Sequence, residues 1–289
     1  MWKMRLLFAQ SLLLGSCFLL SLAGCDGSAA SNEAGQGTSA TLTAEKSAVA
    51  VPAGSGTAMA ARKQATEEGK YVFAFFWKTE DESTAAMRSL FEETMAKASD
   101  RANTVAVNVT DPAEKAIVDE YGLDRAPMPL VLAIAPNGAI TGGFPTRFSE
   151  QDLLSAFATP ATQQCMKPLQ DGKLVFLCVQ NGQTGMNEEA MQGVKDFAAD
   201  DRFREAVEIV SLDPSDEAER PFLKDLQVAP AVKTAVTVFL APPGSPIAIY
   251  EGATTKDQLV AELQKAGSCG PGGTCGPGGT CGPGGCAPK

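Results

Sequence analysis

The chain has 289 residues, enough for two ordinary domains, and 44% of them are apolar, enough to build real cores. Its formal net charge of −10 argues against a nucleic-acid partner and against electrostatic attachment to anionic lipid. It contains no histidine, which removes Ser-His-Asp and Cys-His catalysis and histidine-ligated zinc.

In chain order, Lys3 and Arg5 precede an apolar run over residues 6–22, slightly short for a stable membrane span and shaped like an export signal. The run ends in Leu22-Ala23-Gly24-Cys25. This resembles the lipobox of bacterial lipoproteins. The resemblance implies cleavage after residue 24, lipidation of Cys25 and anchoring to a membrane on the periplasmic side of the cell envelope. Asp26 next to that cysteine favours the inner membrane by the sorting rule of enterobacteria-like lineages. Residues 25–57 are rich in Ser, Gly, Ala and Thr without apolar periodicity and read as a flexible tether.

A first domain is expected over residues 58–160. After a short helix (58–68) comes Tyr71-Val-Phe-Ala-Phe-Phe-Trp77, a near-continuous apolar run of the kind buried on both faces of a sheet. A polar loop, Lys78-Thr-Glu-Asp-Glu-Ser83, leads to a helix with apolar residues at Met87, Leu90, Phe91 and Met95. There follow an alternating strand, Asn103-Thr-Val-Ala-Val-Asn-Val109, and a helix opened by Asp111-Pro112 and closed at Tyr121-Gly122. Next come Ala126-Pro127-Met128-Pro129, the strand Leu130-Val-Leu-Ala-Ile134, a turn at Pro136-Asn-Gly138, a strand near Ile140 and a helix over 149–157.

This β-α-β-α-β-β-α order, the Phe76-Trp77 placement and Tyr121-Gly-Leu followed by Pro127 resemble thioredoxin-like proteins. The family places Trp-Cys-x-x-Cys at the start of the first long helix. On this chain the two cysteine positions fall on Asp81 and Thr84, so both thiols are missing. The bland reading of residues 81–84 is helix capping; the other is an acidic, cation-binding rim formed with Glu80 and Glu82. The resemblance makes Pro127 the candidate for the cis-proline that faces the family's redox site.

A second domain, residues 161–267, repeats the first at a spacing of roughly 100 residues. Lys173-Leu-Val-Phe-Leu-Cys-Val179 answers the first strand, and Asn187, a candidate N-cap, opens the answering helix. Asp213-Pro214 answers Asp111-Pro112, and Ala235-Val-Thr-Val-Phe-Leu240 answers Leu130-Val-Leu-Ala-Ile134. The loop 180–186 lacks a cysteine pair, and the position matching Pro127 falls near Lys233. The expected fold class is therefore α/β, two tandem thioredoxin-like domains.

The cysteines leave several chemistries open. Cys178 lies in a strand and reads either as a buried small apolar residue or as a disulfide partner of Cys165. Residues 268–289 repeat Cys-Gly-Pro-Gly-Gly-Thr, with Cys269, Cys275, Cys281 and Cys286, and hold no apolar side chains to bury. Those four suit disulfides or cross-links, a soft ion such as Cu(I), or a redox relay. A sulfur nucleophile at a helix start and a resolving thiol three residues on are what the family's oxidoreductases require. Without them, the leading expectation is a membrane-anchored binding or scaffold protein that contacts an unidentified peptide or protein through the groove beside Pro127, with no resident cofactor. Thiol-disulfide exchange or Cu(I) handling through the tail cysteines is the alternative.

Overall fold

The computed structural model describes residues 57–267. Cys25, the tether to residue 56 and the four tail cysteines lie outside the described residues, so the expectations placed on them stand as made.

The first domain contains α1 (Thr57–Glu68), β1 (Tyr71–Trp77), α2 (Glu82–Ala96), β2 (Ala102–Asn108), α3 (Lys115–Tyr121), β3 (Leu130–Ile134), β4 (Ile140–Pro145) and α4 (Glu150–Ser155). The second contains α5 (Pro160–Gln170), β5 (Leu174–Val179), α6 (Asn187–Ala198), β6 (Val207–Leu212), α7 (Arg220–Asp225), β7 (Val236–Ala241), β8 (Ser245–Glu251) and α8 (Lys256–Gly267). The sheets have orders β2-β1-β3-β4 and β6-β5-β7-β8. In each, the first interior strand (β1, β5) runs parallel to one neighbour and antiparallel to the other. The chain is thus α/β, two tandem domains with four-stranded mixed sheets flanked by helices, in the thioredoxin-like order. No described helix is long and apolar enough to cross a membrane.

Helices cover both faces of each sheet, and this is why β1 and β5 read as unbroken apolar runs. On one face of the first sheet, Phe73 and Phe75 pack with Phe91 and Met95 of α2 and Leu153 of α4. On the other, Val72, Ala74 and Phe76 meet Ala58 and Ala65 of α1 and Ile117 and Val118 of α3. The second sheet repeats the division. Val175, Leu177 and Val179 face α5 and Leu223 of α7. Phe176 and Cys178 face Val194 and Phe197 of α6 and Leu259 of α8. Each fully buried aromatic contributes about 1.5–3 kcal/mol over its exposed form, so the central strands carry much of the stability.

The sheet register corrects the alignment of the two copies drawn from sequence. The Tyr71 N–H donates to the Arg101 carbonyl at 3.0 Å and the Leu174 N–H to the Ala206 carbonyl at 2.8 Å, so Leu174, not Lys173, answers Tyr71. Asp111 caps a short 3-10 turn by accepting the Ala113 N–H. Its counterpart is Asp216, which accepts the Ala218 N–H, rather than Asp213. Asp213 instead answers Asn108: each side chain accepts the backbone N–H and hydroxyl of the residue two positions on. The shared Asp-Pro letters mislead because the defining feature is which backbone donors each side chain satisfies.

A second shared device is a buried glutamate at the end of each 3-10 turn. Glu114, 5% exposed, accepts the Thr57 N–H and hydroxyl on one oxygen and the Ala58 N–H on the other. Glu219, 4% exposed, accepts the Ala161 N–H at 2.8 Å. Each carboxylate thereby satisfies orphan donors at the start of the domain's first helix.

Helix α5 has no counterpart among the sequence expectations. Pro168 lies within its last turn, where proline normally argues against helix. Tertiary contacts hold α5 in place. The Gln170 amide and the Ile140 backbone exchange hydrogen bonds at 2.7 and 2.9 Å, and Asn137 donates to the Gln163 carbonyl at 2.8 Å. The second domain is stitched in this way to the β3–β4 turn of the first.

Candidate functional site

The Asp81 carboxylate accepts the Thr84 N–H at 2.7 Å and caps α2, which begins at Glu82. The Thr84 backbone and side chain, in that order, hold the Asp81 carboxyl below its ordinary range. Asp81 is exposed, whereas the Thr84 side chain is buried, 4% exposed. The positions that would hold an attacking and a resolving thiol are thus occupied by a helix cap and a packed hydroxyl. Neither forms a sulfur bond, and this is the capping arrangement among the two readings of residues 81–84.

One turn further along α2, Arg88 lies over the floor of the site. Its guanidinium carbon is 4.8 Å from the Trp77 ring centre and 5.4 Å from that of Phe75. The same group donates to Glu80 at 2.8 Å. A cation stacked on the aromatic end of β1 covers apolar surface while its partner carboxylate stays exposed. Sequence reasoning missed Arg88; its helical offset from Thr84 was the available signal.

At the same end of the sheet, Phe76 pairs with Leu130, which brings the residues just before β3 beside the loop into α2. Here the expectation for Pro127 is corrected: the cis peptide is Met128–Pro129. Pro129, not Pro127, directly precedes the strand and is buried, and its carbonyl accepts the Thr146 N–H at 2.6 Å. Pro127 is exposed, two residues farther from the ladder. Neither the amide nor the carbonyl of Met128 has a hydrogen-bond partner among the described residues.

Thr146 adopts φ 63°, in the left-handed region that a β-branched side chain strongly disfavours. Its counterpart in the second domain is Gly252, φ 78°, whose N–H donates to the Ala235 carbonyl at 2.7 Å. Comparing the two copies at this turn was the signal that would have found Thr146.

The second domain's site differs in kind. Asn187 is the first residue of α6 and not its N-cap; that place is taken by Met186, φ 60°, with no side-chain capping bond. The Asn187 amide instead donates to the Asn181 carbonyl at 2.7 Å. By register, Ala235 stands where the first domain has Pro129.

Cys165 and Cys178 are both free, which overturns their pairing as a disulfide. Cys165 projects from α5 into the cluster on one face of the second sheet, and Cys178 from β5 into the cluster on the other. The intervening strand separates them. Burial pushes the Cys165 thiol up to about 12, with Glu219 adding to the effect, and the Cys178 thiol up to about 11. Both are protonated, enclosed side chains at neutral pH, unlike a reactive thiol. No cluster of three or more Cys, Asp or Glu suited to a metal ion exists among the described residues.

No family model and no curated protein matches the chain. Among solved structures, it is similar to an N-terminal domain of alkylhydroperoxide reductase AhpF from Enterococcus faecalis, at 16% identity and a TM-score of 0.26, covering 71% of this chain and 98% of that one. It is also similar to the first two thioredoxin domains of Saccharomyces cerevisiae Eps1p, at 10% identity and a TM-score of 0.26, covering 70% and 95%. Zinc-bound human ERp44 gives 11% identity and a TM-score of 0.30, covering 70% and 54%.

Proposed function

We propose that this chain is a lipid-anchored protein of the bacterial cell envelope whose thioredoxin-like domains bind a partner rather than exchange disulfides. The observation that carries this reading is the pair Asp81 and Thr84. A carboxylate caps the helix where an attacking thiolate is needed, and a buried hydroxyl stands where the resolving thiol would be. The buried, protonated Cys165 and Cys178 point the same way. Anchoring rests on the Leu22-Ala23-Gly24-Cys25 match, and inner-membrane placement on Asp26. The contact surface is the edge at Met128, where an unpaired amide and carbonyl beside buried Pro129 offer main-chain hydrogen bonds to an extended peptide. This moves the groove proposed from sequence by two residues, from Pro127 to Pro129.

An insulin-reduction assay with dithiothreitol tests the reading. The full chain is expected to give no rate above the uncatalysed background. Robust turnover abolished by deleting residues 268–289 would overturn the binding role and hand the chemistry to Cys269, Cys275, Cys281 and Cys286. Cu(I) bound in equal stoichiometry by the full and tail-deleted chains would exclude a metal role for those cysteines.

A further inference from the structure

The two sheets end on strands, β4 and β8, whose outer edges differ. In the first sheet the Thr146 N–H bonds inward to the Pro129 carbonyl at 2.6 Å. Alternation along β4 then turns the backbone of Pro145, Gly143 and, past the bulge, Ile140 away from β3. The Ile140 N–H and carbonyl are taken by the Gln170 amide at 2.9 and 2.7 Å, and Pro145 has no N–H to give. Of the three, only Gly143 keeps both groups, and it has no side chain to offer beside them.

On β8 the Gly252 N–H bonds inward to the Ala235 carbonyl at 2.7 Å, so the backbone of Glu251 and Ile249 turns outward. None of these two amides and two carbonyls has a partner among the described residues. Ile249 is one of the few large apolar side chains left exposed, at 44%. Glu251 is exposed as well and belongs to no ion pair of the described residues. The open stretch is short. Pro246 stands where the first sheet has Ile140, and the register shifts between Phe239 and Leu240. Both features limit how far a second strand could pair.

We infer that Ile249, Tyr250 and Glu251 form a docking edge for an extended segment of a partner protein, one that carries a Lys or Arg and, two residues on, an apolar side chain. The segment runs antiparallel and closes four backbone hydrogen bonds, with its apolar residue across from Ile249 and its cation across from Glu251. The chain's net charge of −10 favours a basic segment. A second copy fits less well. Pairing two β8 strands about Tyr250 sets each Glu251 against an isoleucine and brings together two chains of the same sign. This edge lies apart from Met128 and stands whether or not a peptide binds there.

The test is NMR of the full chain, reading amide hydrogen exchange with the peptide acetyl-Thr-Lys-Thr-Val-Thr-amide as probe. The amides of Ile249 and Glu251 should exchange fast in the free, dilute chain, and the probe should slow both. Replacing the probe's lysine by glutamate should weaken binding about fivefold. N-methylation of its valine, which removes the donor to the Ile249 carbonyl, should abolish the protection. In Glu251→Gln the lysine and glutamate probes should bind within about twofold of each other. Glu251→Pro installs the residue that the first sheet carries as Pro145. It removes one outward N–H, leaves the β7 ladder untouched and should weaken the lysine probe about fivefold. Slow exchange at Ile249 and Glu251 in the free chain would overturn the inference. So would a lysine probe that leaves both amides unchanged, or one matched by its glutamate or N-methylated counterpart. Protection that appears without probe as the chain is concentrated would assign the edge to a second copy and overturn the basic partner.

Discussion

The Asp81 carboxylate and the Thr84 amide are joined by a 2.7 Å hydrogen bond that closes the first turn of α2. The acceptor is depressed in pKa by that bond, and the donor belongs to a residue whose side chain is buried. A helix N-terminus that would stabilise a thiolate here stabilises a carboxylate instead, using the same unpaired amides and the same dipole.

The double variant Asp81→Cys with Thr84→Cys is expected to place a thiol pair on those amides. Its first cysteine should titrate below the ordinary value of about 8.5, followed by thiolate absorbance near 240 nm. The variant should also gain insulin-reductase activity relative to the wild-type chain. A first thiol with an unshifted pKa would mean that the helix start does not present this position to an incoming sulfur.

Asp81→Asn should flatten the acid limb of the stability curve. A carboxyl whose folded pKa is lowered contributes stability that is present above its unfolded value and is lost as pH falls through the folded one. The wild-type melting temperature should therefore drop more steeply than the variant's as pH falls below about 4. Parallel curves for the two proteins would show that the cap makes no contribution through its charge.

Cys165 and Cys178 are expected to resist Ellman's reagent in the native chain at pH 8 and to react at once in denaturant, apart from any reactive tail thiols, which a chain lacking residues 268–289 removes. Their raised pKa values also give a sign at alkaline pH. Protons held to about 12 and about 11 in the folded state are released near 9 when the chain unfolds. Stability from these groups is complete below 9 and declines as pH rises through that window. Cys165→Ala should make the alkaline decline shallower.

Gly193→Ala should be strongly destabilising even though alanine ordinarily favours a helix interior by about 1 kcal/mol. A Cβ there would sit 1.8 Å from the Thr254 carbonyl oxygen, so α6 and the segment before α8 must part. The loss is expected at about 3 kcal/mol or more, from overpacking against backbone that cannot swing aside. Urea denaturation measures it.

Thr146→Gly should move stability the other way. Releasing a β-branched residue from φ 63° relieves about 1–2 kcal/mol, against about 0.5–1 kcal/mol of added backbone entropy in the unfolded chain. A net gain of roughly 0.5–1 kcal/mol is expected from thermal melts. Unchanged or reduced stability would show that contacts of the Thr146 side chain outweigh its backbone strain.

The sequence by itself determined the two-copy α/β plan, because strands covered on both faces must be apolar throughout and their helices must carry apolar stripes. It also determined that no thiol stands at Asp81 or Thr84, since that is a matter of residue identity. Only the tertiary structure decided which proline is cis, that Asp216 rather than Asp213 answers Asp111, that Cys165 and Cys178 face opposite sides of one strand, and that Gly185 bridges to Thr234. Each of these turns on which backbone donor meets which acceptor, or which face a side chain reaches, once segments distant in the chain are brought together. Local pattern specifies how much surface to bury; the pairing of buried polar groups is settled only when the partners are in place.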